Sequence, residues 1–173
     1  AEGRFVVARG TSVDAIFTWL DTKVRKGQVA DARAQDFGAG GLAPIIDLSG
    51  NRLPLASEYN LALRLQQAFQ LAGGRFDWQA LVNYRSDYYL TQFNEDDLGN
   101  GDTALEAGFP DRQKGFATLN LGLGYTRGAL RLEAYVQNAT DEQASQKALV
   151  GSNVNVRFLN DARTFGLRAR YGF

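Results

Sequence analysis

From Ala162 to Phe173 the chain alternates between two kinds of side chain. The odd positions are Arg163, Phe165, Leu167, Ala169, Tyr171 and Phe173, and the even ones are Ala162, Thr164, Gly166, Arg168, Arg170 and Gly172. Successive side chains of a strand point to opposite faces, so this period of two predicts a strand with one apolar and one polar face. The same pattern recurs upstream. In Ala129–Ala139, Leu130, Leu132, Ala134 and Val136 oppose Arg131, Glu133, Tyr135 and Gln137. In Phe116–Thr126, Leu119, Leu121, Leu123 and Tyr125 oppose Thr118, Asn120, Gly122 and Gly124. Arg75–Leu90 sets Phe76, Trp78, Ala80, Val82, Tyr84 and Tyr88 against Asp77, Gln79, Asn83, Arg85 and Asp87. Ser57–Leu71 sets Tyr59, Leu61, Leu63, Leu65 and Phe69 against Asn60, Arg64, Gln66 and Gln70. Val13–Val24 is mixed, because Ile16 and Leu20 lie opposite Val13, Ala15, Phe17 and Trp19. A shorter run, Gly3–Ala8, leads in.

The expectation is about seven strands. Apart from the first they run about 11 to 16 residues, well beyond the usual five or six of a soluble strand and enough for the roughly 9 to 11 that cross a bilayer at a tilt. On the apolar face the rings collect toward strand ends and the aliphatic side chains fill the middle. Tyr59 and Phe69 bracket three leucines, Phe76 and Trp78 are separated from Tyr84 and Tyr88 by Ala80 and Val82, and Tyr125 closes its own strand. Amphipathic rings favour the headgroup level, so these seven aromatics are expected to form girdles around a lipid-facing band. A soluble β-sandwich would also alternate, but its core has no reason to sort rings to strand ends.

Connections alternate as well. Short turns fall at Arg9–Ser12, Ala72–Arg75 and Thr126–Gly128, and long polar loops at Arg25–Ala56, Gln92–Gly115 and Thr140–Asp161. That is the arrangement of an outer-membrane barrel, with short periplasmic turns and long external loops. Seven strands do not close such a barrel, whose strand number is even in bacterial single-chain forms. Either further strands lie upstream, or an eighth is hidden in Ala39–Leu55 and the chain is a small self-contained barrel with a structural or adhesion role. A soluble lipocalin-like binder is a third reading, for which outward-facing girdles would serve no purpose.

Composition narrows the chemistry. The 19 basic and 19 acidic side chains balance, which leaves no basic excess for a nucleic-acid surface. With neither cysteine nor histidine, the chain lacks a disulfide framework, a thiolate nucleophile and the commonest general base and metal ligand. No enzyme activity, cofactor or metal is expected. No run approaches the ~18 apolar residues of a transmembrane helix, and AEGRFVVARG is not a secretory leader. The absence of methionine implies that the chain was processed or is a piece of something longer. The carboxylates Glu95, Asp96, Asp97 and Asp102 lack the ordered spacing of a calcium loop and read as a solvated loop. The pairs Gly40–Gly41 and Gly73–Gly74 read as turns.

Four segments, in order, resemble the C-terminal region of TonB-dependent outer-membrane receptors. LSGNRLPLASEYNLALRLQQAF (Leu48 to Phe69) is similar to that family's loop-to-strand passage, and YRSDYYLTQFN (Tyr84 to Asn94) to the next ascending strand and its exit. YVQNATDEQA (Tyr135 to Ala144) looks like the segment leaving the penultimate strand, and RTFGLRARYGF (Arg163 to Phe173) like the closing strand with its terminal Phe. Ala139 and Ala144 depart from the usual residues, and Gly172 stands between the two closing rings. The resemblance covers almost the whole chain. It implies residues 1–173 of the wall of a larger, 22-stranded barrel in the outer membrane of a Gram-negative bacterium. It also implies a plug domain and TonB-contacting box outside this chain, and uptake of a scarce nutrient such as a ferric siderophore or cobalamin.

Candidate site residues follow. Phe165, Leu167, Ala169, Tyr171 and Phe173 resemble the signal read by the outer-membrane assembly machinery, which would pair with the strand edge; the same residues also suit plain lipid-facing wall. Arg131, Glu133, Arg168 and Arg170 are expected on the lumen face, either pairing with charges of a plug or lining a hydrated wall. Arg85, Asp87 and Gln137 are expected inward near the external end, where a substrate would arrive, or as ordinary polar lining.

Overall fold

The computed structural model describes residues 1–31, 42–95, 110–150 and 155–173. Its strands in chain order are β1 (Glu2–Ala8), β2 (Thr11–Trp19), β3 (Gln28–Ala30), β4 (Ile45–Asp47), β5 (Tyr59–Leu71), β6 (Gly74–Arg85), β7 (Tyr88–Tyr89), β8 (Arg112–Gln113), β9 (Phe116–Arg127), β10 (Leu130–Gln137), β11 (Ser145–Val150), β12 (Asn155–Leu159) and β13 (Thr164–Tyr171). Seven of them form one antiparallel sheet in the order β1-β2-β5-β6-β9-β10-β13. The other six pair two by two within the three long connections, as β3-β4, β7-β8 and β11-β12. The seven expected strands are therefore the seven of the wall.

Register turns separate alternations into two continuous faces. Along one row Phe5, Val13, Leu65, Ala80, Leu121, Val136 and Phe165 stand opposite one another across all seven strands. Each step of two residues gives another apolar row. One row holds Phe69, Phe76 and Tyr125, with the Phe69 and Phe76 ring centres 5.2 Å apart. Towards the opposite strand ends Phe17, Leu61 and Tyr84 form a row with Trp19 and Tyr59 beyond it, and Phe17 stacks on Tyr59 at 6.2 Å. Between them lie the row that holds Trp78, the row that ends in Phe5 and Phe165, and an aliphatic row of Ala15, Leu63, Val82 and Leu119. A slip of one residue anywhere would send that strand's apolar set to the other face.

No second layer covers this apolar face among the described residues: Leu63 is 38 % exposed, Leu123 52 % and Leu167 86 %. The buried apolar residues are few, and Tyr88, Leu90 and Ala148 cluster against Phe116 under the loops rather than behind the sheet. A sandwich would bury the wall's leucines against a second sheet, so that alternative is not the fold. Nor is the eight-stranded barrel. Among the described residues of Ala39–Leu55 the one strand, β4, pairs with β3 in a loop hairpin, and β1 and β13 each have one neighbour in the sheet. Gly40, Gly41, Asp96, Asp97 and Asp102 lie outside the described residues.

Two expected strands end early. The run Val13–Val24 leaves the sheet after Trp19; Leu20 N–H still donates to Glu58 O, but Val24 N–H donates instead to Asn51 O in the loop. The run Arg75–Leu90 leaves the sheet after Arg85: Ser86 N–H still donates to Tyr59 O in register, but Tyr59 N–H is accepted by the Ser86 hydroxyl in place of a ladder carbonyl. Tyr88 is therefore not on the apolar face at all. It sits in β7 with no exposed surface, and its hydroxyl donates to Ser145 O at 2.7 Å. The girdle position assigned to it is corrected: alternation was extrapolated past the point where the chain leaves the wall sheet for the β7-β8 pair.

The short turns explain themselves. Ala72 (φ 50°) and Gly73 (φ 73°) both take the left-handed conformation that a two-residue hairpin requires. Gly10 (φ 78°) closes β1-β2, and a Cβ there would lie 2.2 Å from Ala68 O, whereas one at Gly73 would meet nothing within 4 Å. Both Gly→Ala changes carry the conformational penalty of roughly 1 kcal/mol, but only Gly10→Ala adds a backbone clash. Urea unfolding of the full gene product in micelles is expected to show Gly10→Ala as clearly the more destabilising; equal effects would show that the β1-β2 turn is not held against β5.

Candidate functional site: a polar ladder and an external loop clasp

The polar face carries two different arrangements. Toward the short-turn end, Asp77 of β6 and Glu133 of β10 flank Gly124 of β9 in register. Arg131 reaches across that glycine and donates to both Asp77 carboxylate oxygens, at 2.9 and 3.1 Å, while its Nε–H donates to Glu133 at 2.8 Å. Arg168 adds a longer contact to the other Glu133 oxygen at 3.4 Å. A Cβ at position 124 would stand 2.6 Å from Asp77 Oδ2 and 2.7 Å from Arg131 Nη2, so any larger residue would make the bridging side chains shift. Of the expected lumen residues, Arg131, Glu133 and Arg168 are thus joined in one network. Arg170 stands opposite Arg131 in the ladder. Asp77, the network's second acid, was read from the sequence only as a polar position. A parity reading shows that it shares the face but not that it is two strands from its partner.

At the other end the loops are knitted together. Arg85, on the polar face, donates to Ser57 Oγ and Leu55 O and lays its guanidinium 3.8 Å from the Tyr88 ring centre. Asp87 accepts ion pairs from Arg52 at 3.2 Å and Arg112 at 3.0 Å. Burial pushes the Asp87 carboxyl up, but hydrogen bonds and charge from Arg112 and Arg52 outweigh it and hold it below the usual carboxylate value. These two expected substrate-side residues are thus committed to neighbours, and Asp87 lies beyond the end of β6. Gln137 stands apart, opposite Thr164 at the end of β10.

Asn94 makes the tightest link. At φ 56°, its side chain accepts from Arg52 N–H at 2.6 Å and returns a donor to Arg52 O at 3.0 Å, as a strand neighbour would. Asn51 adds donors to Gln92 O and Phe93 O, both at 2.9 Å, and Leu55 N–H reaches Tyr89 O at 2.7 Å. Asp111, fully buried, accepts from Thr91 N–H (2.7 Å), Thr91 Oγ–H (3.0 Å) and Glu95 N–H (3.2 Å). Burial raises its carboxyl all the same, against those hydrogen bonds. The third loop joins through Tyr88 to Ser145 O and through Ser145 N–H to Gln113 Oε1. The segments GNRLP and DYYLTQFN, read separately in the sequence, are one clasp in space.

Asn138, in the segment YVQNATDEQA, does the equivalent work for the last hairpin. It is 6 % exposed with φ 47°, a conformation Asn tolerates better than most residues. Its amide donates to Glu142 O and Asp161 O, both at 2.9 Å, and its oxygen accepts from Glu142 N–H and Thr140 Oγ–H. Asp141 then accepts from Arg163 N–H, at the threshold of β13. Sequence reasoning took these residues as family spelling and missed that they close the loop onto the final strand; two asparagines with left-handed φ leave no mark in a hydropathy pattern.

No family model matches the chain, and no curated protein matches it in sequence. Solved structures do match. The ferric yersiniabactin uptake receptor FyuA of Yersinia pestis aligns with TM-score 0.70 at 19 % identity, covering 99 % of this chain and 22 % of its own. BauA, the ferric preacinetobactin receptor of Acinetobacter baumannii, aligns with TM-score 0.56 at 12 % identity, over 93 % of this chain and 26 % of its own. The chain thus spans about a quarter of each receptor, and at these identities the likeness is one of fold: the seven-stranded sheet is built like part of a β-barrel wall.

Two outcomes test the clasp. Asn138→Ala takes one partner from two carbonyls and two donors in a part-buried turn, and at ~0.5–1 kcal/mol net for each hydrogen bond lost it should lower stability by roughly 1–3 kcal/mol; retained thermal stability would show that water replaces the amide freely. Because the folded Asp87 carboxyl is held low, its ion pairs stabilise fully above the ordinary carboxylate value and are lost as pH falls through the depressed one. Protease nicking near residues 52 and 112 should therefore rise as pH drops below ~4, and Asp87→Asn should already nick at neutral pH and lose that part of the pH response.

Proposed function

We propose that this chain forms the C-terminal wall and external loops of an outer-membrane receptor that imports a scarce nutrient, with a ferric siderophore favoured over cobalamin. The observation that carries the reading is the unbroken apolar face. Seven strands present it in register, uncovered, with ring-bearing rows near both ends, on a fold shared with two ferric receptors. Phe76 and Tyr84 stand eight residue steps apart on β6, which at ~3.4 Å per residue is roughly 27 Å of strand. At a tilt of ~40° this spans about 21 Å, close to the ~25 Å apolar band of outer-membrane barrels.

In hydrocarbon an unpaired strand edge costs several kcal/mol for each exposed backbone group. The outer edges of β1 and β13 therefore call for further strands of the same barrel. Within the complete protein the polar face lines the lumen, where the Asp77–Arg131–Glu133–Arg168 ladder meets a plug domain, and the clasp shapes the external mouth through which substrate enters. TonB acts through that plug. The face bearing Phe165, Leu167, Ala169, Tyr171 and Phe173 serves both as lipid-facing wall and as the edge offered to the assembly machinery. The role is transport rather than catalysis.

Deletion of the full gene should abolish protonophore-sensitive uptake of radiolabelled iron from one chelate in a panel, with growth on free iron unchanged. Unaltered uptake across the panel, with cobalamin included as a separate arm, would remove the transport reading.

A further inference from the structure

One feature of the apolar face is not explained by a featureless lipid-facing wall. In the row Gln67–Trp78–Leu123–Ala134–Leu167, Ala134 is the one small residue between large ones. The next row toward the external end places Leu121, Val136 and Phe165 beside it. A hollow of about 510 Å³ results, floored by Ala134 and walled by Trp78, Leu121, Leu123, Phe165 and Leu167. One wall is fixed in place. The Trp78 indole N–H donates to Gln67 Oε1 at 3.1 Å, so both groups are satisfied without water on a face that otherwise carries almost no polar side chain.

The occupant follows from what the hollow lacks. Water needs two or more polar partners to stay in a cavity, and the lining offers apolar side chains. A polypeptide segment would bring backbone donors and acceptors with nothing to meet them. A hydrocarbon chain needs only contact, and an unfilled hollow forfeits the dispersion energy of its lining atoms. The hollow lies one to two rows inside the Phe69–Phe76–Tyr125 row, with Trp78 at its edge, so an occupant there reaches from just below the headgroups into the acyl region.

We propose that this hollow is an acyl-chain site: one fatty-acyl tail of a membrane phospholipid lodges over Ala134 against the Trp78 ring, held longer than the surrounding lipid. The proposal rests on the apolar face being turned to lipid, and the test separates the two. The full gene product is reconstituted in phosphatidylcholine vesicles with and without mid-chain bromine, and Trp78 emission is taken as the difference between each protein and its Trp78→Phe counterpart. Bromolipid should quench Trp78 strongly. Ala134→Leu, which fills the hollow, should cut that quenching at least twofold, whereas Ala134→Gly, which deepens it, should preserve or increase it. Ala15→Leu, on the same face but on β2, should change nothing. Equal quenching in the Leu, Gly and parent proteins would overturn the site while leaving the lipid-facing wall intact. No quenching in the parent would overturn the wall reading itself.

Discussion

Cross-strand register is the constraint on which this molecule depends. The wall has no compact core of its own, and its buried apolar residues lie under the loops. What makes seven amphipathic strands a single object is that their backbone ladders align them so that most apolar positions meet apolar neighbours and most polar positions polar ones. Each hairpin turn sets the register of the pair it joins, which is why left-handed residues at Ala72, Gly73 and Gly10 matter beyond their own turns.

The polar face uses that register for a second purpose. Two acids and two arginines from three strands come together over Gly124, which leaves the space between them open. A ladder with a larger residue there would keep the same alternation and push the bridging side chains aside. The external clasp works differently. It is built by side chains that imitate backbone, with Asn94 and Asn138 supplying paired donors and acceptors where irregular chain has none to offer. This is how long polar connections become ordered without a hydrophobic interior of any size.

The likeness to two ferric receptors at 19 % and 12 % identity fits that division of labour. An amphipathic wall constrains each position only to a class, apolar or polar, small or ringed, and many sequences satisfy such a rule. The fold is therefore shared where the residues are not, and the departures at Ala139 and Ala144 sit in the loop exit, where Ala144 is fully buried beside the Tyr88–Ser145 contact.

The sequence by itself determined the number of wall strands, their two faces, and the alternation of short and long connections. Those follow from a period of two and from turn chemistry, both local properties of the chain. It also placed Arg131, Glu133, Arg168 and Arg170 on one face, since parity alone decides that. Only the tertiary structure decided who meets whom: that Asp77 completes the charge ladder, that Arg52 and Asn94 join loops some forty residues apart, and that Tyr88 turns inward. Contacts between distant segments depend on register offsets and chain reversals. A Ser86 hydroxyl that takes the place of a ladder carbonyl opposite Tyr59 leaves hydropathy unchanged while ending a strand, so no reading of local pattern could have carried Tyr88 to its place.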